Sequence, residues 1–265
     1  MSTYIFDAGF QKERDRLRAL EFLFDSYTMR RLADLGVSDG WQCLEVGCGA
    51  GSIALWLAEQ VGIAGRVVAV DLDTRFLDGH SRANLHVRQH NILDDLNDGP
   101  FDLVHARAVL EHIPDRRDAL QRMVSAVRPG GWLMLEDTDF GGVVAAALAH
   151  YADPPEDAAL LERIYRAVEA VLAAAGGDAN FGARLIGGLK DAGLENVAGE
   201  VHTPVVPGGT EYWVRGTIEQ LAKPLVSTGL VTAGDVEAYL TRTADHSCHY
   251  APGFVVTAWG QRPDA

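Results

Sequence analysis

Short apolar runs alternate with segments of helical periodicity through the first half of the chain. Each run is too short for a helix, and most are rich in Val, Ile and Leu, which is typical of buried strands. The runs predict strands at residues 41–46, 66–71, 85–89, 101–106 and 132–137. The segments between them predict helices at residues 14–33, from 52 onward, and at 115–127. This alternation predicts a parallel, doubly wound sheet.

The second half of the chain is mainly helical. Its pattern predicts helices at residues 157–175, 181–192, 211–227 and 233–243, and two more strands at 194–206 and 254–259. We expect the last strand to run antiparallel, which gives an α/β fold with a doubly wound, mostly parallel, seven-stranded sheet. Residues 1–265 are predicted to form a single domain with a helical N-terminal region at 1–36, a core at 37–140, and helical lid insertions at 141–180 and 207–245.

The charge of the chain narrows the classes of partner. Its 265 residues carry a formal net charge of −14, which disfavours nucleic acid and anionic membranes, because both need a basic contact surface. The N-terminus lacks the apolar segment of a signal peptide, and Cys43, Cys48 and Cys248 are too scattered for a disulfide framework. These features predict a cytoplasmic protein and leave a homo-oligomer open.

A glycine-rich turn follows the first predicted strand. Gly47, Gly49 and Gly51 let the backbone turn tightly and let a ligand lie against the main chain. The helix that begins at Ser52 directs its N–H groups at the same place, which suits a nucleotide-type ligand. A dinucleotide fingerprint would have Gly or Ala at position 52. Ser52 therefore disfavours an NAD(P)-dependent oxidoreductase, which stays the first alternative.

Small and polar residues close the other predicted strands. Asp71, Asn91, Ala106 and Asp137 fall at carboxyl ends, and ligands of doubly wound sheets bind at that edge. The Asp71 carboxylate is suited to accept both hydroxyl hydrogens of a ribose bound at the glycine turn. The sequence therefore predicts a nucleoside-containing ligand at this edge of the sheet.

Five motifs stand in a fixed order along residues 40–140. They are Glu45 with the three alternating glycines, Val70-Asp71, Asn91-Ile92, Phe101-Asp102-Leu103-Val104 and Arg128-Pro129-Gly130-Gly131. Together they resemble the cofactor-binding core of class I methyltransferases, which depend on S-adenosylmethionine (SAM). The segments Leu110–Pro114 and 128–131 further resemble small-molecule methyltransferases of ubiquinone biosynthesis and secondary metabolism.

The resemblance implies which residues hold the methionine part of SAM and of its product, S-adenosylhomocysteine. Glu45 contacts the amino group directly or through water, and Ala106 and Arg107 border the same end. The backbone that approaches the methionine part is that of Gly47, Cys48 and Gly49.

The resemblance also implies the contacts of the nucleoside part. Asp71 takes the ribose hydroxyls, and Leu72 packs on the adenine. Asn91 binds the adenine amino group and the Ile92 N–H faces the ring. The family more often has Asp at the position of Asn91, but the side-chain carbonyl of Asn keeps a hydrogen-bond acceptor there.

The acceptor of the methyl group is less well defined by sequence. His112 is the candidate catalytic base, because a neutral imidazole can deprotonate a hydroxyl or amine held in line with the methyl group. Capping of the following helix is the alternative role for His112. The candidate substrate-binding side chains are Phe140, Trp213, His246 and Tyr250. No metal is expected, since the acids that close the fifth strand lack a complete ligand set.

These observations predict methyl transfer from SAM to an oxygen, nitrogen or carbon of a small, apolar or aromatic metabolite by in-line displacement. The sulfonium already activates the methyl group, so the protein mainly aligns the reacting atoms and excludes water. Two further alternatives stay open, a non-catalytic SAM-binding module and an enzyme whose methylated product rearranges further.

Overall fold

The computed structural model describes residues 12–96, 98–210 and 212–264. Its strands are β1 (Gln42–Val46), β2 (Arg66–Asp71), β3 (Leu85–Gln89), β4 (Phe101–Arg107), β5 (Val127–Asp139), β6 (Glu195–His202), β7 (Val206–Pro207), β8 (His249–Tyr250) and β9 (Phe254–Gln261). Seven of these described strands form one sheet in the order β3-β2-β1-β4-β5-β9-β6. Strands β1 to β5 are parallel, whereas β9 is antiparallel to β5 and β6. The predicted seven-stranded, mostly parallel sheet is confirmed.

The helices of the described residues flank this sheet and extend beyond it. They are α1 (Glu13–Asp34), α2 (Ser52–Gln60), α3 (Arg116–Ala126), α4 (Val143–Ala149), α5 (Ala158–Ala174), α6 (Leu185–Asp191), α7 (Trp213–Ser227) and α8 (Ala233–Arg242). Helices α4 and α5 fall within the first predicted lid insertion, and α7 and α8 fall within the second. The division into regions stays a prediction, and residues 1–11 of its N-terminal part lie outside the described residues.

Three predicted elements differ by more than two residues from the observed ones. The predicted strand 194–206 ends at His202, because Pro204 has no N–H to donate to a strand ladder, and the chain then pairs as β7 with β8. The predicted helix 181–192 opens with a 3₁₀ turn at Gly182–Arg184 before α6 begins. Strand β5 begins at Val127, five residues before its predicted start, because 127–131 continue the sheet beside the end of β9.

Two apolar clusters cover the two faces of the parallel strands. Leu44 of β1 packs in one cluster with Met123 of α3, and Cys43 packs in the other with Leu57 of α2. All four side chains are fully buried, as expected for strands covered on both faces. A third cluster unites α4, α5, α7 and α8, and its members include Leu148, Ile164, Ile218 and Tyr239. The lid helices thus share a core of their own, so they pack as one layer.

Helix α1 is attached to the antiparallel end of the sheet. The Arg31 guanidinium lies 4.0 Å from the centre of the Trp259 ring and donates two hydrogen bonds to Glu200 of β6, at 3.0 and 2.8 Å. Glu21 and Asp25, nearer its N-terminus, contact Ser52 after β1 and Arg107 at the end of β4, so this part of α1 lies at the carboxyl edge of those strands. Among the residues that the structure describes, no helix is both long and apolar enough to cross a membrane.

Candidate functional site

The turn between β1 and α2 needs glycine at particular positions. Gly47 has φ of +70°, and a Cβ added there would lie 2.3 Å from Cγ2 of Val109. Gly51 has φ of +97°, and its Cβ would lie 2.2 Å from Cδ2 of Leu77. Both positions combine a left-handed backbone with close approach of a neighbour, so only glycine fits without displacement. The turn therefore presents bare backbone at the end of β1.

A cavity of about 1000 Å³ lies at the carboxyl ends of β1, β2 and β4 and continues under the lid helices. This volume is at the upper end of the range for small-molecule sites, so it can hold a nucleoside-sized ligand and a second molecule. The predicted cofactor residues that line it are Glu45, Gly47, Cys48, Gly49, Asp71, Leu72, Asn91, Ile92 and Arg107. Ala106 is buried and lies outside the lining.

Asp71 is fixed in place by the backbone of the glycine turn. Its Oδ2 accepts a hydrogen bond from the Gly49 N–H at 2.8 Å, and its Oδ1 accepts one from the Asp73 N–H at 3.0 Å. Burial raises the pKa of the Asp71 carboxyl, and these backbone bonds oppose that rise. Each carboxylate oxygen keeps a further lone pair, so Asp71 can still accept hydrogen bonds from a ligand.

The neighbouring side chains complete this half of the cavity. Leu72 is 48% exposed, which leaves its side chain available for contact, whereas Ile92 is buried at 5%. The Asn91 Oδ1 accepts the Leu93 N–H at 3.0 Å, and this bond orients the side-chain amide. Burial raises the pKa of the Cys48 thiol, which keeps it protonated and unreactive.

The first turn of α2 is contacted by α1. The Ser52 N–H donates to Oε1 of Glu21 at 3.2 Å, and the Ser52 hydroxyl donates to Oδ1 of Asp25 at 3.1 Å. Arg107 of β4 donates to the same Asp25 oxygen at 2.8 Å and to the hydroxyl of Thr28 at 2.9 Å. Glu21 therefore accepts the N–H of the first residue of α2, and the orientation of this helix end toward a ligand stays a prediction.

A buried imidazole connects β1, β4 and β5 behind the cavity. Nδ1 of His105 lies 2.6 Å from Oε2 of Glu45, and Nε2 lies 3.2 Å from Oε2 of Glu136. Hydroxyls of Thr28 and Thr257 each donate to Glu136 at 2.6 Å. Burial lowers the pKa of His105, but the charge of Glu45 and the hydrogen bond to Glu136 outweigh it and raise that pKa to about 9. His105 is therefore an imidazolium at neutral pH.

A second acidic cluster lies where the cavity passes under the lid. His112 lines the cavity, and its Nε2 lies 3.2 Å from Oε1 of Glu111. The other oxygen of Glu111 accepts the Thr138 N–H at 2.7 Å and the Thr138 hydroxyl. Although burial opposes it, hydrogen bonds from His112 and Thr138 lower the pKa of Glu111. Burial and the charge of Glu111 raise the pKa of Asp137 well above its usual value, so Glu111 is the ionised member of the pair.

The lid supplies an apolar wall opposite this cluster. Its side chains include Phe140, Trp213 and Tyr165, and the Tyr165 hydroxyl donates to the Ala251 carbonyl at 2.8 Å. Two predicted substrate residues do not line the cavity. Tyr250 is 2% exposed inside the lid core, because β8 pairs with β7, and His246 lies in the exposed turn before β8.

Sequence reasoning missed the cavity residues of α1. Arg16, Leu17, Leu20 and Glu21 all line the cavity. Periodicity gave no signal for them, because charged residues are spread around the first turns of α1, at Arg14, Asp15 and Arg18 as well as Arg16. Arg16 is buried and forms a two-bond ion pair with Glu13, at 2.8 and 2.7 Å.

Comparisons with known proteins agree with this geometry. Residues 44–135 match a family model described as a methyltransferase domain. Methyltransferase str3 of Strobilurus tenacellus is 35% identical over 133 residues, which are 48% of this chain and 46% of the fungal protein. Methyltransferase str2 of the same fungus is 28% identical over 219 residues, 80% of this chain and 74% of that protein. The chain therefore spans about half the length of the first relative and three quarters of the second.

A solved structure extends the comparison to the fold. Phosphoethanolamine N-methyltransferase 2 of Haemonchus contortus, in complex with phosphomonomethylethanolamine and S-adenosylhomocysteine, aligns with a TM-score of 0.57 at 17% identity. The alignment covers 96% of this chain and 58% of that one, and shows a shared fold. Fold and site together define an α/β domain of the SAM-binding type. Over residues 44–135 the chain is similar to a methyltransferase domain, and its fold is shared with a solved N-methyltransferase.

The residues present at the site fit SAM, the cofactor that the resemblance implies. Bare backbone at Gly47 and Gly49 permits close approach of the methionine part, and the Asp71 carboxylate is an acceptor suited to ribose hydroxyls. Leu72 and Ile92 offer apolar contact for a flat adenine ring. The arrangement therefore supplies each kind of group that a nucleoside sulfonium requires.

Proposed function

We propose that this chain transfers the methyl group of SAM to a small apolar or aromatic molecule held under the lid. The observation that carries the proposal is the continuity of one cavity from Asp71 and the glycine turn, past His112, to the apolar wall at Phe140 and Trp213. Donor and acceptor sites that open into each other allow an in-line displacement away from water.

The cofactor supplies a methyl group that is already activated by its sulfonium. Asp71 binds the ribose hydroxyls, Leu72 and Ile92 enclose the adenine, and Asn91 binds its edge. Glu45 lines the cavity beside the glycine turn, where its carboxyl group is placed to bind the methionine ammonium. The chain's own contribution is to bind, orient and exclude water.

His112 is the candidate group for removing a proton from an oxygen acceptor, because its imidazole lines the cavity between the donor site and the lid. Its Nε2 lies 3.2 Å from the ionised Glu111, which orients the ring. Thr138 holds Glu111 through its N–H at 2.7 Å and its hydroxyl, which keeps the carboxylate, and thus the imidazole, in one orientation. For an amine or an activated carbon, alignment alone can be sufficient.

Isothermal titration calorimetry tests the cofactor half of the proposal. Wild-type protein should bind S-adenosylhomocysteine, and Asp71→Asn should weaken it about 10- to 100-fold, because hydrogen bonds to a charged group are lost. Asp95→Asn is the matched control, since Asp95 is 87% exposed and pairs with Arg122 outside the cavity. Tight binding of NADH with no binding of S-adenosylhomocysteine would favour the oxidoreductase alternative.

Transfer of labelled methyl from SAM to a panel of phenols, aromatic amines and carbon nucleophiles tests the acceptor half. With a phenol, His112→Gln should lower kcat by about 10²- to 10⁴-fold and leave S-adenosylhomocysteine affinity within about twofold. Near-normal turnover by His112→Gln would remove the base role. Failure to transfer to any acceptor, despite tight SAM binding, would favour a non-catalytic module.

A further inference from the structure

Two buried carboxylates face one buried imidazole in the sheet. Glu45 and Glu136 are 3% and 1% exposed, and His105 between them is fully buried. Strand β4 lies between β1 and β5, so its His105 reaches both carboxylates, at 2.6 and 3.2 Å. Carboxylates carry no hydrogen to donate when ionised, so both ring nitrogens must donate. When both carboxylates are ionised, only the imidazolium form of His105 satisfies this geometry.

Every element around His105 contributes to the charge balance. The carboxylates are Glu45 of β1, Glu136 of β5 and Asp25 of α1, and the second cation is Arg107 of β4, which bonds Asp25. The remaining polar groups are the hydroxyls of Thr28 and Thr257, and both donate to Glu136. His105 and Arg107 are the cations whose charges act on Glu45 and Glu136, so a neutral His105 would leave Arg107 alone to offset those two carboxylates.

The two carboxylates depend on His105 to different degrees. Glu136 also receives two hydroxyl hydrogen bonds, and although burial opposes it, its pKa is lowered. Glu45 has His105 as its described hydrogen-bond partner, and burial raises its pKa despite the opposing charge of His105. Glu45 is therefore the carboxylate whose ionisation is most sensitive to the imidazolium. It is also the one that lines the cavity.

We propose that His105 is a positioning residue for the cofactor, which keeps Glu45 ionised and oriented to bind the cationic amino group of the methionine part. The inference rests on the proposed function, because it assigns that amino group to Glu45. His105 itself does not line the cavity, so it acts through Glu45. No covalent step is involved.

Calorimetry with two ligands separates this role from a structural one. S-adenosylhomocysteine carries the amino group, whereas 5′-methylthioadenosine lacks the amino and carboxyl groups and keeps the nucleoside. His105→Gln should weaken the binding of S-adenosylhomocysteine about 10- to 100-fold at pH 6.5. The affinity for methylthioadenosine should change by less than about twofold. His86→Gln is the matched control, because His86 is an exposed strand histidine on β3.

The pH dependence supplies a second readout. Without the imidazolium, the pKa of Glu45 rises further, so the ratio of variant to wild-type dissociation constants should be largest at low pH and shrink as pH rises. Titration of the ligand's own amino group cancels in this ratio. In a Glu45→Gln background, His105→Gln should cause no further loss of S-adenosylhomocysteine affinity, since the charge that it supports is absent.

Equal weakening of both ligands by His105→Gln, or undiminished binding of S-adenosylhomocysteine, would overturn the inference and leave the proposed function intact. Absence of S-adenosylhomocysteine binding by wild-type protein would instead overturn the proposed function, and the inference with it. If His105→Gln does not fold, NMR of ¹⁵N-histidine-labelled wild-type protein tests whether His105 is an imidazolium. One imidazole protonated on both nitrogens is expected at pH 8. Its absence would refute the positioning role of His105.

Discussion

The glycine turn can be tested by one added methyl group. Gly47→Ala forces a non-glycine residue into φ of +70° and places a Cβ 2.3 Å from Cγ2 of Val109. The left-handed backbone costs about 1–2 kcal/mol, and overpacking against Val109 costs about 1–3 kcal/mol. The free energy of unfolding should therefore fall by roughly 2–5 kcal/mol. Thermal denaturation should show a melting temperature lower by roughly 4–20 °C, and calorimetry should show weaker S-adenosylhomocysteine binding.

Two control variants separate the two costs. Gly79 has φ of +81° with nothing within 4 Å of an added Cβ, so Gly79→Ala should show the backbone cost alone. Adding Val109→Ala to Gly47→Ala removes the clashing methyl and should recover the overpacking share, after correction for Val109→Ala by itself. The reasoning is refuted if Gly47→Ala melts no lower than Gly79→Ala, or if the double variant shows strict additivity.

Two variants test the shifted pKa values of Glu200 and Asp139 through the pH dependence of the melting temperature. Hydrogen bonds from Arg31 outweigh burial and lower the pKa of Glu200 to about 2. That stabilisation is complete above the unfolded pKa and is lost as pH falls, so the melting deficit of Arg31→Ala should shrink between about pH 5 and about pH 2. Burial, with the charge of Asp178, raises the pKa of Asp139 to about 6. Ionisation then opposes folding, so Asp139→Asn should raise the melting temperature above about pH 6 and leave it unchanged below about pH 4.

Melting temperatures followed by circular dichroism across pH check both variants. Arg82→Ala removes a pair with Glu59 on a more exposed surface and is the control for Arg31→Ala. The stack of Arg31 on Trp259 does not titrate, so part of the deficit should persist at low pH. A deficit of constant size from pH 7 to pH 2 would contradict the first prediction. An Asp139→Asn melting temperature equal to that of wild type at pH 8 would contradict the second prediction.

The donor half of the site was predictable because it depends on local order along the chain. Glycines after β1 and an acid closing β2 lie at the same edge of any parallel sheet, so Gly47 and Asp71 were expected to be neighbours. Both line the cavity, and the Gly49 N–H bonds Asp71 directly. Such pairings follow from strand direction alone, without knowledge of register.

Other features depend on contacts between distant segments. The pairing of Glu45 with His105 requires the register of β1 against β4, which no periodicity of either strand reveals. Tyr250 was expected to face substrate. However, β6 ends before Pro204, and the following residues pair as β7 with β8, which buries Tyr250 in the lid core. Glu21 reaches Ser52 only because α1 crosses the first turn of α2.

A crystal structure with S-adenosylhomocysteine is the most direct test of the account. We expect the ribose hydroxyls to bind the Asp71 carboxylate and the amino group to bind Glu45. The sulfur should point toward His112 and the apolar wall that includes Trp213. A ligand bound elsewhere, or one whose sulfur points away from the lid chamber, would contradict the central claim that methyl donor and acceptor meet in this cavity.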